Sequence, residues 1–190
     1  MITIVTGLPR SGTSLMMQML AAGGMPLLTD GVRKSDEDNP KGYFELERVK
    51  RLKEDAAWLR DADGKAVKVV SALLFDLPPT RRYRVIFMTR ELDEILASQR
   101  EMLRRRGVAD AGPDDALMRR HFENHLARAR RFVESAAHIE TLWCSYNDLL
   151  REPPAAVARV ADFLGGELER ERMVAAVDPG LYRQRGKAAR

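Results

Sequence analysis

The first twenty residues, MITIVTGLPRSGTSLMMQML, restrict what this chain can fold into more than any other stretch. Ile2 to Thr6 is a short β-branched run and reads as a buried strand. Gly7-Leu8-Pro9 breaks it, and Arg10 to Ser14 leads into Leu15, Met16, Met17, Met19 and Leu20, which continue as a helix. A strand, a glycine-bearing loop and a helix start make an anion cradle. The loop amides turn inward, the helix N-terminus carries partial positive charge, and a phosphate fits between them.

The loop approaches the P-loop pattern G-x-x-x-x-G-K-S/T with one change. Gly7, Gly12 and Ser14 stand at the right offsets, but Thr13 occupies the lysine position. The nearest cation is Arg10, inside the loop, so a γ-phosphate lacks its usual partner. Thr13 and Ser14 still offer hydroxyls. An ordinary βα turn capped by Ser or Thr has the same appearance.

Beyond the loop, strand and helix signals alternate. Met25 to Leu28 reads as a second short strand, and Thr29 to Gly42 as a long polar surface loop. Phe44, Leu46, Val49, Leu52 and Leu59 give a helical stripe over Glu45 to Arg60. Strands follow at Ala66 to Val70, Arg84 to Thr89 and Ile139 to Cys144, with helices at Leu92 to Arg104, Asp114 to Ala136, Pro153 to Leu164 and Glu167 to Ala176. A loop at Gly107 to Pro113 and a short turn at Tyr146 to Leu150 complete the reading. Strands alternating with helices imply an α/β fold: three α/β/α layers around a central parallel sheet, with ligands at the carboxyl ends of the strands. The expectation is one domain over residues 1–190, with a basic tail at about 179–190.

Composition narrows the function classes. At 45% hydrophobic over 190 residues the chain can bury a full core. No apolar run approaches the roughly 20 residues of a membrane span, and Ile2 to Val5 is too short for a signal-peptide core. The expectation is a cytoplasmic protein. A single cysteine, Cys144, excludes an internal disulfide and multi-thiolate zinc, and no metal site is expected. The net charge is +4, and Arg183, Arg185, Lys187 and Arg190 in the tail match it by themselves. Such a tail is either frayed and solvated or a flap over an anionic ligand. Aromatics at 6% and no recognition module argue against nucleic acid as a partner.

Arg90 is the second candidate for anion binding. It ends a parallel strand, and Ser98 follows two helical turns later, so both can face the same edge. A planar guanidinium and a hydroxyl suit a phosphate, although Arg90 can equally pair with Glu91 or Asp93. Taken in order, the loop Pro9-Arg10-Ser11-Gly12-Thr13-Ser14, then Arg90 and Ser98, then Tyr146-Asn147-Asp148-Leu149 before a late helix ending Phe163-Leu164-Gly165, resembles the sulfotransferase family. The similarity runs from Ile2 to about Gly165. That family uses 3′-phosphoadenylyl sulfate (PAPS) as donor and releases PAP.

The resemblance implies roles. Arg10, Ser11, Gly12, Thr13 and Ser14 would hold the 5′-phosphate, Arg90 and Ser98 the 3′-phosphate that ATP lacks, and Tyr146 would lie near the nucleotide. Arg185 matches a late basic loop of the family. The reaction would be in-line transfer of a sulfuryl group to a hydroxyl or amine of a small-molecule, glycan or peptide acceptor, with no metal. The chain departs from the family where small-molecule sulfotransferases carry a histidine after the strand matching Ala66 to Val70. Val69, Val70 and Ser71 stand there, and the histidines are His121, His125 and His138. Other branches use a carboxylate. Glu45, in the stretch Asn39-Pro40-Lys41-Gly42-Tyr43-Phe44-Glu45, is the candidate base, with Arg10 as the second catalytic candidate. Two alternatives stand beside this one. A P-loop kinase or NTPase is one, for which Ala72 to Asp76 imitates a Walker B strand. A non-catalytic nucleotide-binding protein is the other.

Overall fold

A computed structural model describes residues 1–36, 39–105, 107–108, 114–178 and 180. Four strands, β1 (Ile2–Gly7), β2 (Ala66–Lys68), β3 (Tyr83–Thr89) and β4 (Ile139–Ser145), form one parallel sheet in the order β2-β1-β3-β4. The helices are α1 (Thr13–Ala22), α2 (Leu92–Arg105), α3 (Asp115–Ser135), α4 (Tyr146–Arg151), α5 (Pro153–Leu164) and α6 (Arg170–Ala175). Among the described residues, no helix is long and apolar enough to cross a membrane.

The strands are apolar on both faces because both are covered. Ile2, Ile4, Val67, Val69, Val85 and Phe87 point to a side closed by Ala129 and Val133 of α3 and by Val49, Leu52, Trp58 and Leu59. Val5, Ala66, Ile86, Met88 and Cys144 point to the other, closed by Met16, Met17 and Leu20 of α1, Val157 and Val160 of α5, and Met173 of α6. Each Val, Leu, Ile, Phe or Met side chain among them contributes roughly 1.5–3 kcal/mol by leaving water.

The segment from Glu45 to Arg60 is not the continuous helix its stripe suggests. It forms two 3₁₀ turns, Glu47–Arg51 and Ala57–Arg60. Acidic side chains compete for the backbone here. Asp30 Oδ2 accepts from the Glu47 amide at 2.6 Å, and Asp55 Oδ1 accepts from the Ala57 amide at 2.9 Å, which restarts the chain between the turns. The apolar positions are still buried, so the stripe marks a covered face and not a helix. Ser71 to Asp76 is likewise a 3₁₀ turn and not a strand, which removes the Walker B imitation. Met25 to Leu28 makes only an isolated bridge, Leu27 to Ala66. The expected turn after β4 is a short helix, α4, capped by Ser145 Oγ on the Asp148 amide at 3.1 Å.

The chain leaves β1 toward β2 on one side and later returns to β3 on the other. The crevice for a ligand opens at that switch, above the carboxyl ends of β1 and β3. Here Gly7 pairs with Met88. A Cβ on Gly7 would stand 2.6 Å from the Met88 carbonyl oxygen and nearer still to Ser11 Oγ. Only glycine lets the loop leave β1 this close to β3. Gly7→Ala is expected to cost about 3 kcal/mol through overpacking and to lower Tm by roughly 6–12 °C, read by calorimetry. An unchanged Tm would mean that the loop is not packed this way.

Candidate functional site

A cavity of about 470 Å³ lies over the carboxyl ends of the strands. It is lined by Gly7 to Arg10 and Gly12 to Ser14, by Glu45 and Lys68, and by Arg90, Ser98 and Tyr146. The structure therefore gathers the loop, Arg90, Ser98, Tyr146 and Glu45 from five separate stretches of sequence. Ser11 is different. Its side chain is fully buried against Gly7, its amide donates to the Leu8 carbonyl at 3.2 Å, and it does not line the cavity. Arg185 and the other tail cations lie outside the described residues.

The loop is held in a costly shape. Arg10 has φ of 68°, in the left-handed region that favours glycine. Gly12, with φ of 97°, sits against the Tyr146 ring, and a Cβ there would come within 3.0 Å of Cε2 and nearer to Cδ2. Tyr146 is buried and acts as a floor for the loop. Burial raises its phenol pKa above the usual value. The Arg90 guanidinium lies 4.6 Å above the centre of the same ring.

Arg90 and Arg10 are aimed by neighbours. Arg90 donates to the Arg10 carbonyl at 3.1 Å, and Arg10 Nε donates to Ser98 Oγ at 2.9 Å. Among the described residues Arg90 pairs with Glu94, at 2.8 Å and only 3% exposed, and not with Glu91 or Asp93. Asn147 Nδ2 donates to both Glu94 oxygens at 3.1 Å, and its Oδ1 accepts from the Glu91 amide at 3.3 Å. The Tyr146-Asn147 pair thus serves as a support, one residue under the loop and the other behind Arg90. A buried ion pair like this fixes direction more than it adds stability.

Lys68 is the functional candidate that the sequence reading overlooks. It lies on β2 with its side chain 10% exposed. Its ammonium donates to Ser14 Oγ at 3.1 Å and to the Tyr43 carbonyl at 3.0 Å, and approaches Glu45 Oε1 at 3.7 Å. It supplies the cation that Thr13 does not. The signal was present: a lysine in the run Ala66 to Val70 of a sheet covered on both faces has to point into a site or a partner. Alternation with Val67 and Val69 turns it to the α1 side.

Glu45 stands beside it, with Arg33 NH1 at 2.8 Å. The Arg33 guanidinium stacks 3.4 Å over Tyr43. The preceding residue, Phe44, has φ of 53°, a second strained position at the cavity edge. Val70, 44% exposed, lines the cavity close to Lys68 in sequence. His125 reaches Ser71 Oγ at 2.8 Å and packs against Phe75, but neither His125 nor Ser71 lines the cavity. Among the described residues no cluster of three or more His, Cys, Asp or Glu could hold a metal ion.

No protein-family model matches this chain, and no curated protein matches its sequence. A similar solved structure is a sulfotransferase domain from the curacin biosynthetic pathway. The two share 14% identity and a TM-score of 0.54, over 95% of this chain and 88% of that one. At that identity the likeness establishes a common fold: α/β, with a parallel sheet flanked by helices.

Burial lowers the Lys68 pKa to about 8, against the opposing pull of Glu45. An anion beside Nζ favours the ammonium, so binding takes up a proton wherever the amine is partly neutral. Inorganic sulfate, which does not itself titrate in this range, should when titrated in two buffers of different ionisation enthalpy show uptake that grows as pH rises through about 8, and little well below it. Lys68→Gln should abolish the uptake; uptake that persists would belong to another group.

Proposed function

We propose that this chain is a sulfotransferase that moves a sulfuryl group from PAPS to a hydroxyl or amine acceptor and releases PAP. The observation that carries the proposal is one cavity lined by cations from separate stretches of the chain: Lys68 bonded to Ser14 of the loop, Arg90, and Arg10 bonded to Ser98. A second anionic group, the 3′-phosphate, is what separates PAPS from a nucleoside diphosphate. The fold shared with a solved sulfotransferase domain supports the same reading.

In this proposal the donor supplies an activated sulfuryl group on a phosphate that can leave. The first amides of α1 have no partner within the helix, and with Ser14 Oγ, Lys68 and Arg10 they receive the charge that grows on the leaving phosphate. Arg90 and Ser98 hold the 3′-phosphate. Glu45 takes the acceptor's proton as its oxygen or nitrogen forms the new bond to sulfur and the sulfur–oxygen bond to the phosphate breaks. Lys68, 3.7 Å from Glu45, places the cation between base and leaving group. The kinase alternative is left without its Walker carboxylate, since Asp76 ends a 3₁₀ turn and does not line the cavity.

Arg90→Ala should weaken PAP binding by about 100-fold while changing ADP binding less than threefold or so, because a charge-assisted contact of this kind is worth roughly 1.5–3 kcal/mol. Equal loss for both nucleotides in calorimetric titration would take the 3′-phosphate away from Arg90. Glu45→Gln should leave PAP affinity within about twofold and lower kcat by roughly 10²–10⁴. Unchanged turnover would remove Glu45 from the role of base.

A further inference from the structure

The stretch Asn39-Pro40-Lys41-Gly42-Tyr43-Phe44-Glu45 contributes more than Glu45. Asn39 Nδ2 donates to Ser14 Oγ at 2.8 Å, and Lys68 Nζ donates to the same oxygen at 3.1 Å. A hydroxyl oxygen accepts two hydrogen bonds and donates one. With both acceptor positions engaged by donors, neither neighbour can take the Ser14 proton. Ser14 lies in the first turn of α1 and lines the cavity, so its O–H is left to donate into it. An ammonium and an amide that both donate to the oxygen also polarise it and strengthen it as a donor.

We propose that Asn39 is a positioning residue that fixes the Ser14 proton toward the 5′-phosphate of a bound nucleotide. The motif thereby clasps the phosphate loop from above. Asn39 grips Ser14, and Lys68 ties Ser14 to the Tyr43 carbonyl two residues before Glu45. Lys41 pairs with Asp178 at 3.2 Å and holds the same segment to the chain beyond α6. One hydrogen-bonded path therefore joins the group that holds the donor phosphate to the segment that carries the proposed base. The inference needs residues 7–14 to bind a nucleotide phosphate, as in the proposed function, but not the identity of the transferred group.

The test is a double-mutant cycle between Asn39 and Ser14, read by calorimetric titration with PAP and, separately, with ADP. Asn39→Ala should weaken both nucleotides alike, by about tenfold, the worth of one well-placed hydrogen bond. On a Ser14→Ala background the same change should cost less than about twofold, because there is no proton left to aim. Full additivity, or no effect of Asn39→Ala alone, would overturn the inference. Asn39→Asp sharpens the result. Its carboxylate accepts the Ser14 proton and turns it from the cavity, while its charge acts equally in both backgrounds. Several-fold greater loss with Ser14 present is expected; equal loss in the two backgrounds overturns the proposal. If wild type binds ADP as well as PAP and the cycle still couples, Asn39 keeps its role and the sulfuryl-donor reading fails. If wild type binds neither, both fail.

Discussion

The site depends on one close approach, that of the Gly7 to Gly12 loop to the end of β3 and to Tyr146. A loop that carries a non-glycine residue in the left-handed region is unstable in isolation. It persists because Gly7 admits the Met88 carbonyl on one side and Gly12 admits the Tyr146 ring on the other. Tyr146 is held at the start of α4, and Asn147 beside it buttresses Glu94 and through it Arg90. The loop and Arg90, which line one cavity, are thus braced by adjacent residues of one motif. Loss of that packing would disturb both at once, although they follow different strands.

Electrostatics then decides what the cavity admits. Arg10, Arg90 and Lys68 converge on a space whose nearby carboxylates are engaged: Glu94 with Arg90, and Glu45 with Arg33 and Lys68. The lowered pKa of Lys68 measures the cost of keeping an ammonium out of water there. An anion beside Lys68 would offset that cost, and a neutral ligand would not.

Much of this was legible in the sequence, and the parts that were not fail for identifiable reasons. Four of the five expected strands, the long helices and the sheet class followed from β-branched runs and apolar periodicity. The Gly7 to Ser14 loop and Arg90 meet at one cavity, as their places at strand ends suggest. The helix over Glu45 to Arg60 did not form, because Asp30 and Asp55 take backbone amides that a continuous helix needs. Asp30 lies seventeen positions before the amide it takes, a competition that is invisible to periodicity. Ser11 stands in the motif yet faces inward, since a loop this tight has room to point only some of its side chains outward. Lys68 and Glu94 were readable in principle, as charges at positions that the fold buries, but only once the sheet and its neighbours were placed.

The most direct test is a crystal structure of the chain with PAP bound. The account predicts the 5′-phosphate on the amides of residues 12–14 with Ser14 Oγ and Lys68 Nζ in hydrogen-bond reach, and the 3′-phosphate on Arg90 and Ser98. A nucleotide bound the other way round, or one that leaves Arg90 and Ser98 without a phosphate, would contradict it.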